Sequence, residues 1–233
     1  MNAKLIGFFS GFPTHHFTDD IAEVLKNELV VRNSLVFISA WPEKHEQNDD
    51  DSNGMHKMFA ERDMGFARHA VIDDRTNKSE ALNLIREASC IFLMGGHATN
   101  QMRMINEKGL AENIRESRGV ILGVSAGSIN MGKRSVDIWE SLTPYDGLGL
   151  ADITIKSHYT EGETFIEQLR EVSMHFPIIA MEDESAIFIK KDSIMQIGRM
   201  HWIVNGEIMP QKKRKSKGGA PSFWKHNPAT WQP

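Results

Sequence analysis

Short apolar runs alternate along the chain with segments whose apolar residues recur every three or four positions. Residues 4–9, 35–39, 69–72, 91–94 and 120–124 are mostly apolar and bounded by Gly, Asp, Asn or Pro, as buried strands are. Between them, residues 20–31, 55–64, 79–89 and 101–117 carry helical spacing, and Ser79 can cap its helix ahead of Leu82 and Ile85. The expected fold class is α/β, with a mainly parallel central sheet and helices on both faces. The pattern then changes. Residues 153–156 read as a strand leading to His158, and Phe165, Leu169 and Val172 mark one face of a helix. Residues 177–180, 186–190, 194–197 and 201–204 read as strands, with Lys191-Asp192 and Asn205-Gly206 as turn pairs. They predict an antiparallel strand extension near the C-terminus.

A chain of 233 residues can bury a full core, and residues 1–210 are expected to form a single α/β domain. Residues 211–233 hold Lys212-Lys213-Arg214-Lys215, paired glycines, Trp224 and Trp231 without periodicity, so a basic, flexible, solvated tail is expected there. The formal charge of −4 gives no global drive toward nucleic acid or an anionic membrane. A small, weakly charged partner fits better, and a monomer and a homodimer both remain open. The one cysteine, Cys90, excludes an intramolecular disulfide and suits a reducing compartment. No signal peptide or membrane-length apolar stretch is visible, so a cytoplasmic location is expected. No histidine pair at helical spacing joins a carboxylate in a ligand pattern, and neither a metal nor another cofactor is expected.

The chemistry points to Gly123-Val124-Ser125-Ala126-Gly127, directly after the apolar residues 120–122. A nucleophile elbow needs a strand end, a sharp turn crowded enough to demand small neighbours, and a helix whose first amides face negative charge. Taken alone, the five residues also suit an ordinary glycine-rich strand-to-helix turn. A serine hydroxyl needs a base, and that base needs an orienting acid. Among ten histidines, His158 follows a strand, while His97 follows Gly95-Gly96 and competes with it. The acid can come from Glu182, Asp183 or Glu184, a cluster between two apolar runs. The Ala126 amide and an amide at Gly96 can supply an oxyanion hole. The order serine, histidine, acid departs from the serine, acid, histidine order of α/β-hydrolases, so a different architecture is implied.

Together these segments resemble the peptidase E family of serine peptidases, which includes aspartyl dipeptidases and, more distantly, cyanophycinases. The resemblance rests on Gly95-Gly96, the Gly-Val-Ser-Ala-Gly elbow, Gly147-Leu148-Gly149-Leu150 leading to Ser157-His158-Tyr159, and Ile178-Ile179-Ala180-Met181. It implies a class I glutamine amidotransferase-like fold, with Ser125 attacking, His158 as base and a carboxylate behind it. The family's usual glutamate falls on Asp183, one methylene shorter, so its backbone must stand closer to His158. Aspartyl dipeptidases follow the segment corresponding to Gly162-Glu163-Thr164 with an arginine that pairs with the substrate's aspartate, but here Phe165 and Ile166 stand there. The family's asparagine after the paired glycines is His97. The resemblance therefore implies a serine peptidase for dipeptides or short peptides without strict Asp-X specificity, with His97 and Phe165 as candidate substrate-binding residues. A cyanophycinase-like hydrolase and a non-enzymatic binding protein on the same scaffold are the alternatives. A glutamine amidotransferase would need a thiol in place of Ser125 and a His-x-Glu pair that His158-Tyr159-Thr160 lacks.

Overall fold

The computed structural model describes residues 4–136, 143–162, 164–191 and 193–210. Within them the chain alternates β1 (Leu5–Phe9), α1 (Asp19–Glu28), β2 (Leu35–Ala40), α2 (His45–Ala60), β3 (His69–Ile72), α3 (Lys78–Glu87) and β4 (Cys90–Gly96). It continues through α4 (Ala98–Glu107), α5 (Ala111–Glu116), β5 (Val120–Val124) and α6 (Ala126–Met131), then the short strands β6 (Arg134–Val136), β7 (Pro144–Asp146) and β8 (Ile155–Lys156). Helix α7 (Ile166–Ser173) precedes β9 (Ile178–Met181), β10 (Ala186–Lys190), β11 (Ser193–Ile197), β12 (Met200–Val204) and β13 (Glu207–Pro210).

The main sheet has the order β11-β10-β1-β5-β4-β2-β3. Strands β1, β5, β4, β2 and β3 run parallel, and β10 and β11 extend the β1 edge antiparallel. Period-2 alternation divides the core. Ile6, Phe8, Val36, Ile38, Ile91, Leu93 and Ile121 face residues of α3 to α6, including Ala81, Ile85, Ile105, Ile114 and Met131. The alternate positions Leu5, Phe9, Leu35, Phe37, Cys90, Phe92 and Leu122 face Ile21 and Leu25 of α1 and Met58 and Phe59 of α2. Both faces are thus covered by helices, which is why these strands carry almost no polar side chains. On the α1–α2 face Phe9, Phe17, Phe37, Phe59 and Phe92 are fully buried, each contributing about 1.5–3 kcal/mol through apolar burial.

A second sheet, β13-β12-β9-β8, is antiparallel except for the β8–β9 pair. The C-terminal strands therefore divide between two sheets: β10 and β11 extend the main one, while β9, β12 and β13 build the other. Alternation identifies each strand but not its distant partner.

Other differences from the sequence reading have local causes. Helix α2 begins at His45 because polar residues hold its first turns: buried Asn48 accepts a 2.7 Å hydrogen bond from Ser39 Oγ and donates to the Trp41 carbonyl. Such a turn carries no apolar period. The expected helix over 101–117 is two helices, separated where Gly109 takes φ 65°. Ser79 is not the cap of α3; Asn77 Oδ1 accepts the Glu80 amide proton at 3.0 Å, and Ser79 lies inside the helix. The 211–233 segment and residues Glu163 and Asp192 lie outside the described residues.

Helix α6 packs against the carboxyl ends of β4, β5 and β1. A Cβ on Gly127 would collide with the Leu93 carbonyl, and one on Gly123 would stand 2.5 Å from Met131 Sδ and 2.8 Å from the Gly127 carbonyl carbon. The elbow glycines therefore let helix and sheet approach more closely than any side chain permits. Ser128 adds the polar fastening: its hydroxyl accepts the Phe9 amide proton at 2.9 Å and lies 2.7 Å from the Gly123 carbonyl. Gly127→Ala is expected to cost about 3 kcal/mol or more by overpacking, read as a lower urea midpoint, whereas Gly54→Ala, with open space at its Cβ, should not destabilise the protein.

Candidate active site

The turn from β5 into α6 forces Ser125 to φ 51° and ψ −114°, a sparsely populated conformation for a residue with a side chain. Its amide donates to the Phe9 and Ser10 carbonyls at 3.0 and 3.1 Å, anchoring the turn to β1. Residue 125 thus stands at the carboxyl end of the sheet, beside β1 and β4, with its Oγ turned toward the segment after β8.

His158 meets it there. His158 Nε2 lies 2.8 Å from Ser125 Oγ, and Nδ1 lies 2.7 Å from Asp183 Oδ1. An ionised carboxylate only accepts hydrogen bonds, so Nδ1 carries the proton toward Asp183 and Nε2 is left to accept from the serine hydroxyl. The side chains of His158 and Asp183 are 50% and 40% exposed, which leaves the relay open to a ligand entering from solvent. Sequence left three carboxylates open, and geometry separates them: Glu182 pairs with His201 Nε2 at 2.9 Å, and Glu184 accepts from Thr14 Oγ1 at 3.1 Å. Asp183 alone of the three contacts His158 among the hydrogen bonds of the described residues. Being one methylene shorter than glutamate is no obstacle, because Gly11 lies where a Cβ would come within 2.5 Å of Asp183 Oδ1 and His158 Cε1.

A pocket of about 350 Å³ opens beside Ser125, lined by Trp41, Gly96, His97, Ala98, Ala126, Ile129, Val136, Lys156, Ser157 and His158. Gly96 and Ala126 therefore line the pocket beside Ser125. The Ala126 amide precedes the helical ladder, whose first bond here runs from Ile129 to the Ser125 carbonyl. His97 stands edge-on to Trp41 at 5.2 Å, and its Nδ1 lies 3.1 Å from Thr99 Oγ1. His97 is thus a wall of the pocket, while the histidine in hydrogen-bonding contact with Ser125 is His158. Phe165 lies elsewhere: it packs against the cluster of Tyr159, Leu169, Val172 and Ile203, behind pocket-lining Val136. Its apolar ring is drawn to that cluster because α7 turns its hydrophobic face inward. Sequence reading missed Ser10, Gly11, Trp41 and Lys156, although Ser10-Gly11 and Trp41 directly follow strands, where ligand sites of open α/β sheets form.

Two other clusters contain reactive residue types. Cys90 is fully buried in β4, and burial pushes its thiol well above the usual range, which disfavours the thiolate a nucleophile requires. His45, Asp73 and Asp74 bring donor atoms within 4.8 Å of one another, but Asp73 already receives the Arg75 guanidinium and Asp74 pairs with His45. No helix among the described residues is long and apolar enough to cross a membrane.

The model of peptidase family S51 matches residues 7–197, which include the whole relay. The chain belongs to peptidase family S51. Its fold is class I glutamine amidotransferase-like, as the resemblance to peptidase E implied, and as a family S51 member it is a serine-type peptidase by family. A peptidase from an acI-B1 Actinobacterium superimposes with a TM-score of 0.70 at 14% identity, covering 94% of this chain and 98% of that one. A putative peptidase E protein from Listeria monocytogenes gives 0.64 at 18% identity, covering 84% and 98%. The pyridoxal 5'-phosphate synthase subunit PdxT of Deinococcus radiodurans is 29% identical over 114 residues, 47% of this chain and 56% of that protein. The match therefore spans little more than half the length of that relative.

Glu182→Gln and Glu184→Gln should leave the rate of Ser125 labelling by a fluorophosphonate within about threefold, and Asp183→Asn should slow it about a thousandfold by removing the acceptor that fixes the His158 tautomer. Intact-mass measurement should also find Cys90 unmodified by iodoacetamide in the native family S51 protein and alkylated once it is unfolded.

Proposed function

We propose that the protein hydrolyses dipeptides or other short peptides through an acyl-enzyme formed on Ser125. The observation that carries this reading is the continuous relay from Ser125 Oγ through His158 to Asp183, with contacts of 2.8 and 2.7 Å, at the edge of a pocket. Ser125 Oγ attacks the peptide carbonyl as His158 Nε2 takes its proton. The Gly96 and Ala126 amides receive the developing oxyanion. The tetrahedral adduct collapses, the C–N bond breaks, and His158 gives the proton to the leaving amine. Water, deprotonated by the same imidazole, then cleaves the ester and frees the carboxylic acid. Asp183 keeps Nδ1–H oriented and supports the imidazolium of both half-reactions.

The pocket's modest volume favours a short substrate over an extended chain. Phe165 and Ile166 stand where aspartyl dipeptidases place an arginine, and Trp41, Ala98, Ile129 and Val136 give the pocket apolar walls, so a strict requirement for aspartate is not supported. The single buried cysteine suits a cytoplasmic setting. A non-enzymatic binding protein on this scaffold would be under no demand to keep three distant side chains at hydrogen-bonding distance.

A dipeptide library that includes Asp-X and apolar-X members tests the reading. Wild type should cleave several members without an Asp-X requirement, and Ser125→Ala should lose at least about 10⁴-fold in kcat while unfolding at the same temperature. Full activity in Ser125→Ala would exclude the serine mechanism, and cleavage confined to Asp-X would exclude the specificity argument.

A further inference from the structure

Three residues around the relay hold left-handed backbone conformations that side chains disfavour: Ser125 at φ 51°, His158 at φ 56° and Glu184 at φ 61°. They lie far apart in sequence, yet each amide is held by the same three-residue segment at the end of β1. Ser125 N–H donates to the carbonyls of Phe9 and Ser10, His158 N–H donates to Ser10 Oγ at 2.7 Å, and Glu184 N–H donates to the Gly11 carbonyl at 2.9 Å. Ser10 is fully buried, and its hydroxyl passes its own proton to the Met181 carbonyl at 2.9 Å, at the end of β9. One hydroxyl thereby links the strand end before the acid to the backbone of the base.

We infer that Ser10 and Gly11 are positioning residues that hold His158 and Asp183 in register with Ser125. This rests on the relay being the reacting group proposed above. Ser10 acts by accepting at its oxygen and donating its hydrogen at the same time, which no apolar side chain can do. Without that acceptor, His158 loses the hydrogen bond that offsets its left-handed conformation, and relaxation toward negative φ swings the imidazole away from Ser125. Its donated bond also keeps Asp183 Oδ1 near, 3.5 Å from Ser10 Oγ, though the proton goes to the better-placed Met181 carbonyl. Gly11 acts by absence. A Cβ there would stand 2.5 Å from Asp183 Oδ1, 2.5 Å from His158 Cε1 and 2.9 Å from His158 Nδ1, within the space the acid–base contact occupies. The short acid and the glycine are therefore two parts of one arrangement: aspartate reaches His158 because the β1 end comes close, and that close approach tolerates no side chain at residue 11.

The test combines a signature of the His158–Asp183 bond with kinetics on the full chain. In ¹⁵N-histidine-labelled wild type, the Nδ1 proton shared with Asp183 should give a low-field resonance that Asp183→Asn removes. Ser10→Ala and Gly11→Ala should each lose that resonance or move it upfield while retaining a folded circular dichroism spectrum. On the best dipeptide, each should lower kcat about 10- to 100-fold with KM changed less than about threefold, because the loss falls on orientation in the transition state. In a His158→Asn background, where asparagine tolerates the left-handed backbone, adding Ser10→Ala should change the residual rate of fluorophosphonate labelling less than about twofold. A wild-type resonance and a kcat within about twofold of wild type in both folded variants would overturn the inference, as would an equal loss with and without His158. If Ser10→Ala does not fold, the same two readouts of Gly11→Ala decide the question. Wild type that shows the resonance but cleaves no peptide refutes the proposed substrate class and leaves the positioning role to be judged on the resonance alone.

Discussion

The close approach of α6 to the sheet is the constraint on which the rest of the site depends. Gly123 and Gly127 let the helix start directly over the ends of β4 and β5, at a distance where a Cβ on either glycine would meet the Met131 sulfur or the Leu93 carbonyl. That approach leaves one residue to reverse the chain between strand and helix, and Ser125 takes a conformation costing about 1–3 kcal/mol. The strain is held by hydrogen bonds from its amide to β1 and by Ser128, whose buried hydroxyl joins α6 to Phe9. A polar layer behind the helix adds support. Asn130 donates to the Ala98 carbonyl and to Gln101, and Gln101 donates to the carbonyls of Ile38 and Met94, tying α6 to α4, β2 and β4.

Sheet order distributes the work around that point. β5 lies between β1 and β4, so Ser125 has two different neighbours. On the β1 side stand Ser10 and Gly11, and beyond them His158 and Asp183, supplied by the ends of β8 and β9. On the β4 side stand Gly95, Gly96 and His97, and one strand further out is Trp41 after β2. The glycine block 147–150 reaches under α6, where Leu148, Gly149 and Leu150 donate backbone hydrogen bonds to Asn130, Gly132 and Met131. Its part in the family resemblance is thus to fix the helix end and the start of the segment that delivers His158.

What could be read from the sequence follows from the range of the interactions involved. Strands 69–72, 120–124 and 186–190 agree with the observed elements to the residue, because each is a compact, mostly apolar stretch bounded by polar or turn residues, although 69–72 is half-buried at the sheet edge. The elbow was legible because its requirements lie within five consecutive residues. The first turns of α2 were not, since Asn48 and Ser52 are buried through polar contacts and leave no periodic signal. Nor was the second sheet, because a strand's own pattern does not name its partner. Ser10 touches His158 across 148 positions and Met181 across 171, so nothing in its neighbourhood marks it except its place at a strand end. Phe165 shows the opposite error: the local comparison identified a lost arginine, but an aromatic ring at that position packs into the α7 cluster and leaves the pocket wall to others.

The proposed role of Ser125 asks more of this frame than a thiol in the same place would. A cysteine can enter a reaction as a thiolate already formed, so its base need not be aligned at every instant. A serine hydroxyl gives up its proton during attack, and the base must then be within hydrogen-bonding reach and correctly oriented when the carbonyl arrives. Positional tolerances for such constellations are about half an ångström, too fine for three segments joined by loops to meet by packing alone. Here Ser125, His158 and Glu184, the residue after Asp183, are each tied by an amide hydrogen bond to the same end of one central strand. The side chains of Trp41 and His97, which wall the pocket, are carried by other strand ends on the far side of Ser125. Pocket shape can therefore change at those positions without moving the His158–Asp183 pair, because the two sets of residues hang from strand ends on opposite sides of Ser125.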